Sequence, residues 1–249
     1  MLMPSRQRRS RRRTWLAAAA AAAVAASAVA AYAVVSSGPP SGQAPGQSPH
    51  RPASDGRVPA RAAGSSLPSV STSGWQSVQV DGEAVPVSPS AGPASGAAGL
   101  ASGFTDTPAG AVLAACNIAV RISGQLGSAI FVDTITRQVT GPGADALLAA
   151  AWQEYGQASA DAEPSSPGGP AGKLTASLTA FRLTAWSAKA ASVTLVAAAP
   201  GNASEQVTVP VQVRWSGSDW LLVAPSGGAF TGSRSAPGLP PGFTPLPGG

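Results

Sequence analysis

The segment QVTVPVQVRWSGSDWLLV, residues 206–223, decides the fold of this chain. Valine or tryptophan occupies every second position from Val207 to Trp215, which is the period of a β-strand with one buried face. The four residues from Ser216 to Asp219 then favour a turn into a further strand, WLLV. The segment therefore predicts two antiparallel strands joined by a short turn.

The residues before this segment show the same period. Side chains alternate between two faces over residues 174–186 and again over residues 193–197. Together with the two strands above, they predict a four-stranded antiparallel meander in the last third of the chain.

Helical signals precede the meander. Asp106 or Thr107 caps a helix that begins at Pro108, where a missing N–H costs nothing. A second, shorter helix is predicted from Ala129 to Arg137. A third starts near Gly143, and its apolar stripe, predicted to be core, consists of Leu147, Leu148, Ala151, Trp152 and Tyr155.

A β-hairpin is predicted before the helices, because Asp81-Gly82 is a type I′ turn signal between two alternating valine pairs. The order is thus a hairpin, about three helices and a four-stranded antiparallel meander. It predicts an α+β domain with helices packed on the concave face of the sheet.

An apolar run without charge or proline covers residues 15–35, and 13 of its 21 residues are alanine. A helix of this length spans the hydrocarbon core of a bilayer. Six arginines and no acidic residue precede it, so the positive-inside rule keeps the N-terminus in the cytoplasm. The competing interpretation is a cleaved signal peptide, since small-x-small triplets end at Ala28 and Ala30.

Composition divides the chain further. We predict a basic cytoplasmic tail (1–14), a transmembrane signal anchor (15–35), a disordered Pro/Gly/Ser/Ala tether (36–73), an extracytoplasmic α+β domain (74–225) and a disordered Pro/Gly-rich tail (226–249). The domain is therefore expected on the outer side of the cell membrane, or secreted if the signal is cleaved.

The net charge of +5 does not indicate a nucleic-acid partner. Six of the 16 basic residues precede the apolar run, which leaves ten against 11 acidic residues and a net charge of −1. The ten are scattered singly from Arg51 to Arg234, whereas a nucleic-acid interface needs clustered lysine and arginine.

Residues that could carry chemistry are few. His50 lies in the predicted tether, which excludes a nucleophile–histidine pair in the domain. Cys116 is predicted to be a buried small hydrophobe. Four acids, Asp106, Asp133, Asp145 and Glu154, are interpreted as solvated helix-surface residues, and four tryptophans, Trp152, Trp186, Trp215 and Trp220, as core. We predict no catalytic, cofactor-binding or metal-binding residue and no cofactor.

Several short motifs resemble an uncharacterised family of exported domains from high-GC Gram-positive bacteria. These motifs are Val85-Pro86-Val87-Ser88, Gly92-Pro93, Gly103-Phe104, Thr107 to Ala111, Trp186-Ser187, and Trp215 with Gly217 and Asp219-Trp220. The order of elements further resembles the cone-shaped, nuclear-transport-factor-like fold of scaffold subunits in conjugation and type IV secretion machines. That likeness implies a single-pass membrane protein within such an apparatus.

The leading hypothesis is a non-enzymatic, membrane-anchored extracytoplasmic domain that makes protein–protein contacts in a membrane complex of the conjugation or secretion type, with homo-oligomerisation as an option. The alternative is a small-molecule binding or sensing module that uses the concave face of the sheet. An enzyme of the same fold would need an acid–base pair inside that concavity.

Overall fold

The computed structural model describes residues 66–96, 99–162, 164, 166–171, 176–199, 202–235 and 238–248. The predicted cytoplasmic tail, the transmembrane helix and the tether up to residue 65 lie outside these residues. Within the described part, none of the helices combines the length and apolar character that a membrane crossing requires. Residues 66–73, the end of the predicted tether, form no helix or strand, and Val70 packs against the core.

The described residues form three α-helices, one 3₁₀ helix and nine strands. The helices are α1 (Pro108–Arg121), the 3₁₀ helix (Gly124–Leu126), α2 (Ser128–Gln138) and α3 (Ala144–Asp161). The strands are β1 (Gln76–Val80), β2 (Glu83–Val87), β3 (Val139–Thr140), β4 (Ser177–Ser187), β5 (Ala190–Ala199), β6 (Asn202–Trp215), β7 (Trp220–Val223), β8 (Ser233–Ser235) and β9 (Thr244–Pro245).

The hairpin β1–β2 forms as predicted, with Val78 opposite Val85. Its turn places Asp81 at φ 48° and Gly82 at φ 87°, the left-handed pair that a type I′ turn requires. Val80 and Val85 are buried in a small core cluster with Val120, Leu126 and Ile130. The hairpin therefore closes one end of the domain against α1, the 3₁₀ helix and α2.

The second sheet has seven strands. Six run in the order β3-β7-β6-β5-β4-β9, and β8 pairs with the N-terminal part of β6 on the edge that β7 occupies further along. The sheet is mixed, because β3 pairs in parallel with β7 whereas the other pairs are antiparallel.

The predicted fold was wrong in its sheet. Three helices followed by a four-stranded antiparallel meander leave out β3, β8 and β9. Strand β3 is two residues long and follows α2 directly, so it has no alternation that a sequence could display. Strands β8 and β9 lie in the segment predicted as a disordered tail, where Phe230 and Leu246 are buried. The cone-shaped, nuclear-transport-factor-like architecture is therefore not the fold of this chain.

Helix α1 lies at the centre of the domain, and 11 of its 14 residues are buried. A helix that is buried nearly all round must be apolar nearly all round, and α1 is rich in alanine with Val112, Leu113 and Ile118. It covers the inner face of the sheet, whose buried side chains include Val193, Leu195, Val211, Val213 and Trp220.

Candidate functional site

The motifs that carry the family resemblance meet at the start of α1. The carboxylate of Asp219, in the β6–β7 turn, accepts hydrogen bonds from the backbone N–H of Gly103 (2.8 Å) and Phe104 (3.2 Å). Its neighbour Trp220 donates from the indole N–H to the Thr105 carbonyl (2.9 Å). Two segments more than 100 residues apart are thus held together by side chains of one turn.

Glycine is required at two other positions of these motifs. Gly92 has φ 102°, and a Cβ there would lie 2.8 Å from the Gly103 carbonyl oxygen. A Cβ on Gly110 would collide with the Thr105 carbonyl. Thr107 caps α1 by accepting a hydrogen bond from Gly110 N–H (3.1 Å). These motifs therefore have a structural role, since they fix the start of the central helix.

The acidic residues do not assemble into a catalytic pair. Asp106, Asp133 and Asp145 are exposed at the start of α1, on α2 and on α3, and Asp133 lies 3.9 Å from Arg137. Glu154 is used internally, because its carboxylate accepts from Ser123 Oγ (3.0 Å) and Gly124 N–H (2.9 Å). Among the residues that the structure describes, no group of three or more histidine, cysteine, aspartate and glutamate side chains is placed to hold a metal ion.

Two buried carboxyl groups are perturbed by their surroundings. Desolvation raises the pKa of Glu154, against the opposing effect of its hydrogen bonds to Gly124 and Ser123. Desolvation also raises the pKa of Glu83, whose Oε2 accepts from Ser177 Oγ (3.0 Å). Both groups join two elements of the fold, since Glu154 in α3 bonds to the start of the 3₁₀ helix and Glu83 in β2 bonds to β4. We assign them structural roles.

Helix α1 buries two further groups. Cys116 is fully buried, as predicted, and desolvation raises the pKa of its thiol to about 12. Arg121 is also fully buried and donates to the Asn117 side-chain oxygen (2.7 Å) and to the Gly99 carbonyl (2.6 Å). Burial lowers the pKa of Arg121 to about 10, so it stays charged at neutral pH.

The four tryptophans differ in environment. Trp220 is fully buried, and Trp186 and Trp215 flank it with ring centroids at 5.6 Å and 5.3 Å. The prediction that Trp152 is core was wrong, because 47% of the residue is exposed. Its ring packs edge-on against buried Phe131, with centroids 5.1 Å apart. Trp152 is therefore an ordered aromatic side chain on the surface.

Trp152 lies on the exposed side of α3, whose middle part carries no charge. Nine residues of α3 are exposed. Asp145 and Asp161 lie at the two ends of the helix, and the seven uncharged residues between them form this α3 face, namely Ala146, Ala149, Trp152, Gln153, Gly156, Gln157 and Ala160. Most are small, so a partner can approach the helix backbone closely. An exposed tryptophan surrounded by small uncharged residues is typical of protein–protein interfaces.

A second surface is the outer sheet face, which points away from α1. The strand register places Arg182, Thr194 and Pro210 side by side on it, and Arg214 lies further along β6. The exposed or half-exposed side chains of this outer sheet face include Arg182, Ser192, Thr194, Pro210, Gln212 and Arg214, with Ala190 and Leu221 opposite Arg214. The guanidinium carbon of Arg182 lies 4.6 Å from the centre of the Phe243 ring.

Comparison with known proteins identifies the family of this chain. A family model described as a domain of unknown function, DUF8175, matches residues 33–245, and the chain belongs to this family. The match extends past the predicted border at residue 225 and includes β8 and β9. No curated protein and no solved structure matches the chain.

Sequence reasoning missed both surfaces. The apolar stripe assigned to α3 was too wide: at 100° per residue, Trp152 lies about 140° from buried Leu147 around the helix, at the margin of the stripe. The basic residues of the outer sheet face are far apart in sequence, and only the strand register shows that Arg182 and Arg214 share a face.

Proposed function

We propose that this chain is a non-enzymatic, membrane-anchored extracytoplasmic module that acts by binding protein partners, and that the α3 face is its contact surface. The observation that carries the proposal is Trp152, a large apolar residue at 47% exposure that is kept ordered by Phe131 and Tyr155. Tryptophan is enriched among residues whose truncation costs an interface 2 kcal/mol or more, on the order of a 30-fold loss of affinity.

No observation favours the alternative of a small-molecule site on the concave face. Within the described residues, that face is filled by α1, and Val193, Leu195 and Val211 are each at most 3% exposed. The link to a conjugation or secretion apparatus depended on the likeness of fold, which the sheet topology contradicts. It therefore forms no part of the proposal.

A photo-cross-linking residue in place of Gln153 tests the contact surface in the full-length protein in its native membranes. We expect a cross-linked adduct at this position and none at Gln79, which is also an exposed glutamine and lies on β1. Adding Trp152→Ala should reduce the adduct several-fold. Leu67→Ala, which truncates a residue of similar exposure (42%) outside the helices and strands, should leave it unchanged.

Adducts that form equally at Gln79 and Gln153, or adducts that Trp152→Ala leaves intact, would contradict the assignment of the α3 face.

The anchor is tested separately. If the apolar run at residues 15–35 is retained, the protein should stay with membranes after carbonate extraction. A released protein whose N-terminus follows Ala28 or Ala30 would show cleavage and place the domain outside the cell without an anchor.

A further inference from the structure

Acidic residues border the α3 face, whereas basic residues lie on the outer sheet face. Three exposed carboxylates border the α3 face: Asp145 and Asp161 lie at the two ends of the helix, and Asp133 lies on neighbouring α2. The single exposed base on these two helices is Arg137, which is near Asp133. The outer sheet face carries Arg182 and Arg214, with Lys189 in the adjoining β4–β5 turn. None of the described side chains that the register places on it is a carboxylate.

The surfaces also match in the size of their side chains. The α3 face has small side chains apart from Trp152, Gln153 and Gln157, because alanine and glycine occupy its other four positions. The middle of the outer sheet face consists of short polar side chains, Ser192 and Thr194, with Pro210 beside them. A helix with small residues can lie close to such a strand surface. The strand surface can then cover Trp152.

We propose that the α3 face of one copy of this chain docks on the outer sheet face of a second copy. This inference rests on the proposed function, since it takes the α3 face as the protein-binding surface and names its partner. Charge complementarity selects this arrangement. Two α3 faces packed on each other would bring Asp145 of one copy near Asp161 or Asp145 of the other, depending on the relative direction of the helices. Two outer sheet faces would bring arginines of the two copies together. Both arrangements place like charges next to each other.

The contact is heterologous, because each copy contributes a different surface. Every copy that docks through its α3 face still offers a free outer sheet face, so association continues into a ring or a row. The charged side chains of this contact are exposed, and added salt therefore weakens the contact. Copies held on one membrane by their N-terminal segments would meet at a raised local concentration.

Cysteine cross-linking in the full-length protein distinguishes the possible pairs of faces. One protein carries Gln153→Cys on the α3 face and the other carries Gln212→Cys on the outer sheet face. Native Cys116 is fully buried, so a short bismaleimide should not join the unaltered protein to itself. We expect cross-linked dimers in the mixture of the two proteins, with several-fold lower yield at high salt, and none in either protein alone.

Charge reversal supplies the second measurement. Arg214→Glu in the Gln212→Cys protein should lower the dimer yield several-fold, and Asp145→Lys in the Gln153→Cys protein should restore it. Dimers of either protein alone, no dimer in the mixture, or a yield that Arg214→Glu does not change would overturn the proposal. If photo-adducts to another protein still form at Gln153, the proposed function stands while the self-docking fails.

Discussion

The Asp219 side chain connects the C-terminal sheet to the segment before α1. It accepts hydrogen bonds from the backbone N–H groups of Gly103, Phe104 and Trp220, at 2.8, 3.2 and 2.9 Å. Sequence placed this residue in a turn, which is correct, but the bonds to Gly103 and Phe104 depend on two loops meeting in the folded domain. The physical role of a charged residue in a turn is visible only when the distant N–H groups that donate to it are known.

Asp219→Ala should lower the free energy of unfolding by about 2 kcal/mol, because the N–H groups of Gly103 and Phe104 lose a charged acceptor. Asp145→Ala removes an exposed carboxylate that has no assigned hydrogen bond and should change stability by no more than about 0.5 kcal/mol. Urea unfolding of the two variants measures the difference. Equal effects would show that the Asp219 contacts contribute nothing.

Glu154 predicts a pH dependence of stability. Its folded-state pKa is raised by burial, so the folded state takes up a proton at a higher pH than the unfolded state does. The contribution of Glu154 to stability therefore grows as pH falls through its folded-state pKa, and it is complete below its unfolded-state pKa. The stability of the natural protein relative to Glu154→Gln should therefore increase as the pH is lowered towards the unfolded-state pKa of glutamate. A difference that stays constant or shrinks in urea titrations would contradict this assignment.

At the scale of elements, close packing of α3 on the 3₁₀ helix depends on Gly124. A Cβ on Gly124 would collide with the backbone of α3 at Ala151, whereas a Cβ on Gly156 in α3 would meet nothing within 4 Å. The two glycines thus differ in what they permit, although both lie in or beside helices. The sequence identifies both as glycine and cannot say which one faces a neighbour.

Gly124→Ala should lower the free energy of unfolding by at least about 2 kcal/mol, because α3 must shift to make room. Gly156→Ala should raise it by about 0.5–1 kcal/mol, since alanine restricts the unfolded chain and fits an exposed helix. Thermal and urea unfolding of both variants check the pair. Destabilisation by Gly156→Ala, or tolerance of Gly124→Ala, would mean that the α3 packing is different.

At the scale of the molecule, the domain extends beyond the border that composition predicts. Phe230 and Leu246 are buried, and β8 and β9 pair with β6 and β4. Removal of residues 226–249 should therefore prevent folding of the remaining chain, because each buried side chain contributes about 2 kcal/mol or more to the free energy of unfolding. Removal of residues 247–249 alone should preserve folding. A soluble, cooperatively unfolding protein that ends at residue 225 would contradict this.

Regular alternation and helix capping made much of the fold predictable. The Asp81-Gly82 hairpin, the start of α1 at Pro108 and the long strands β4 to β6 follow from local patterns. Strand β3 and the order of the sheet depend on pairing between distant segments, which leaves no periodic trace. The candidate surfaces were unpredictable for the same reason: the outer sheet face collects Arg182 and Arg214 through register alone.

The central claim is that the α3 face and the outer sheet face of this chain bind each other between copies. Hydrogen exchange of the full-length protein, compared at low and high protein concentration, tests both surfaces at once. We predict slower exchange at high concentration in α3 around Gln153 and in β5 and β6 around Ser192 and Gln212, with both effects lost in Arg214→Glu. Protection confined to one surface, or exchange that does not depend on concentration, would contradict the claim.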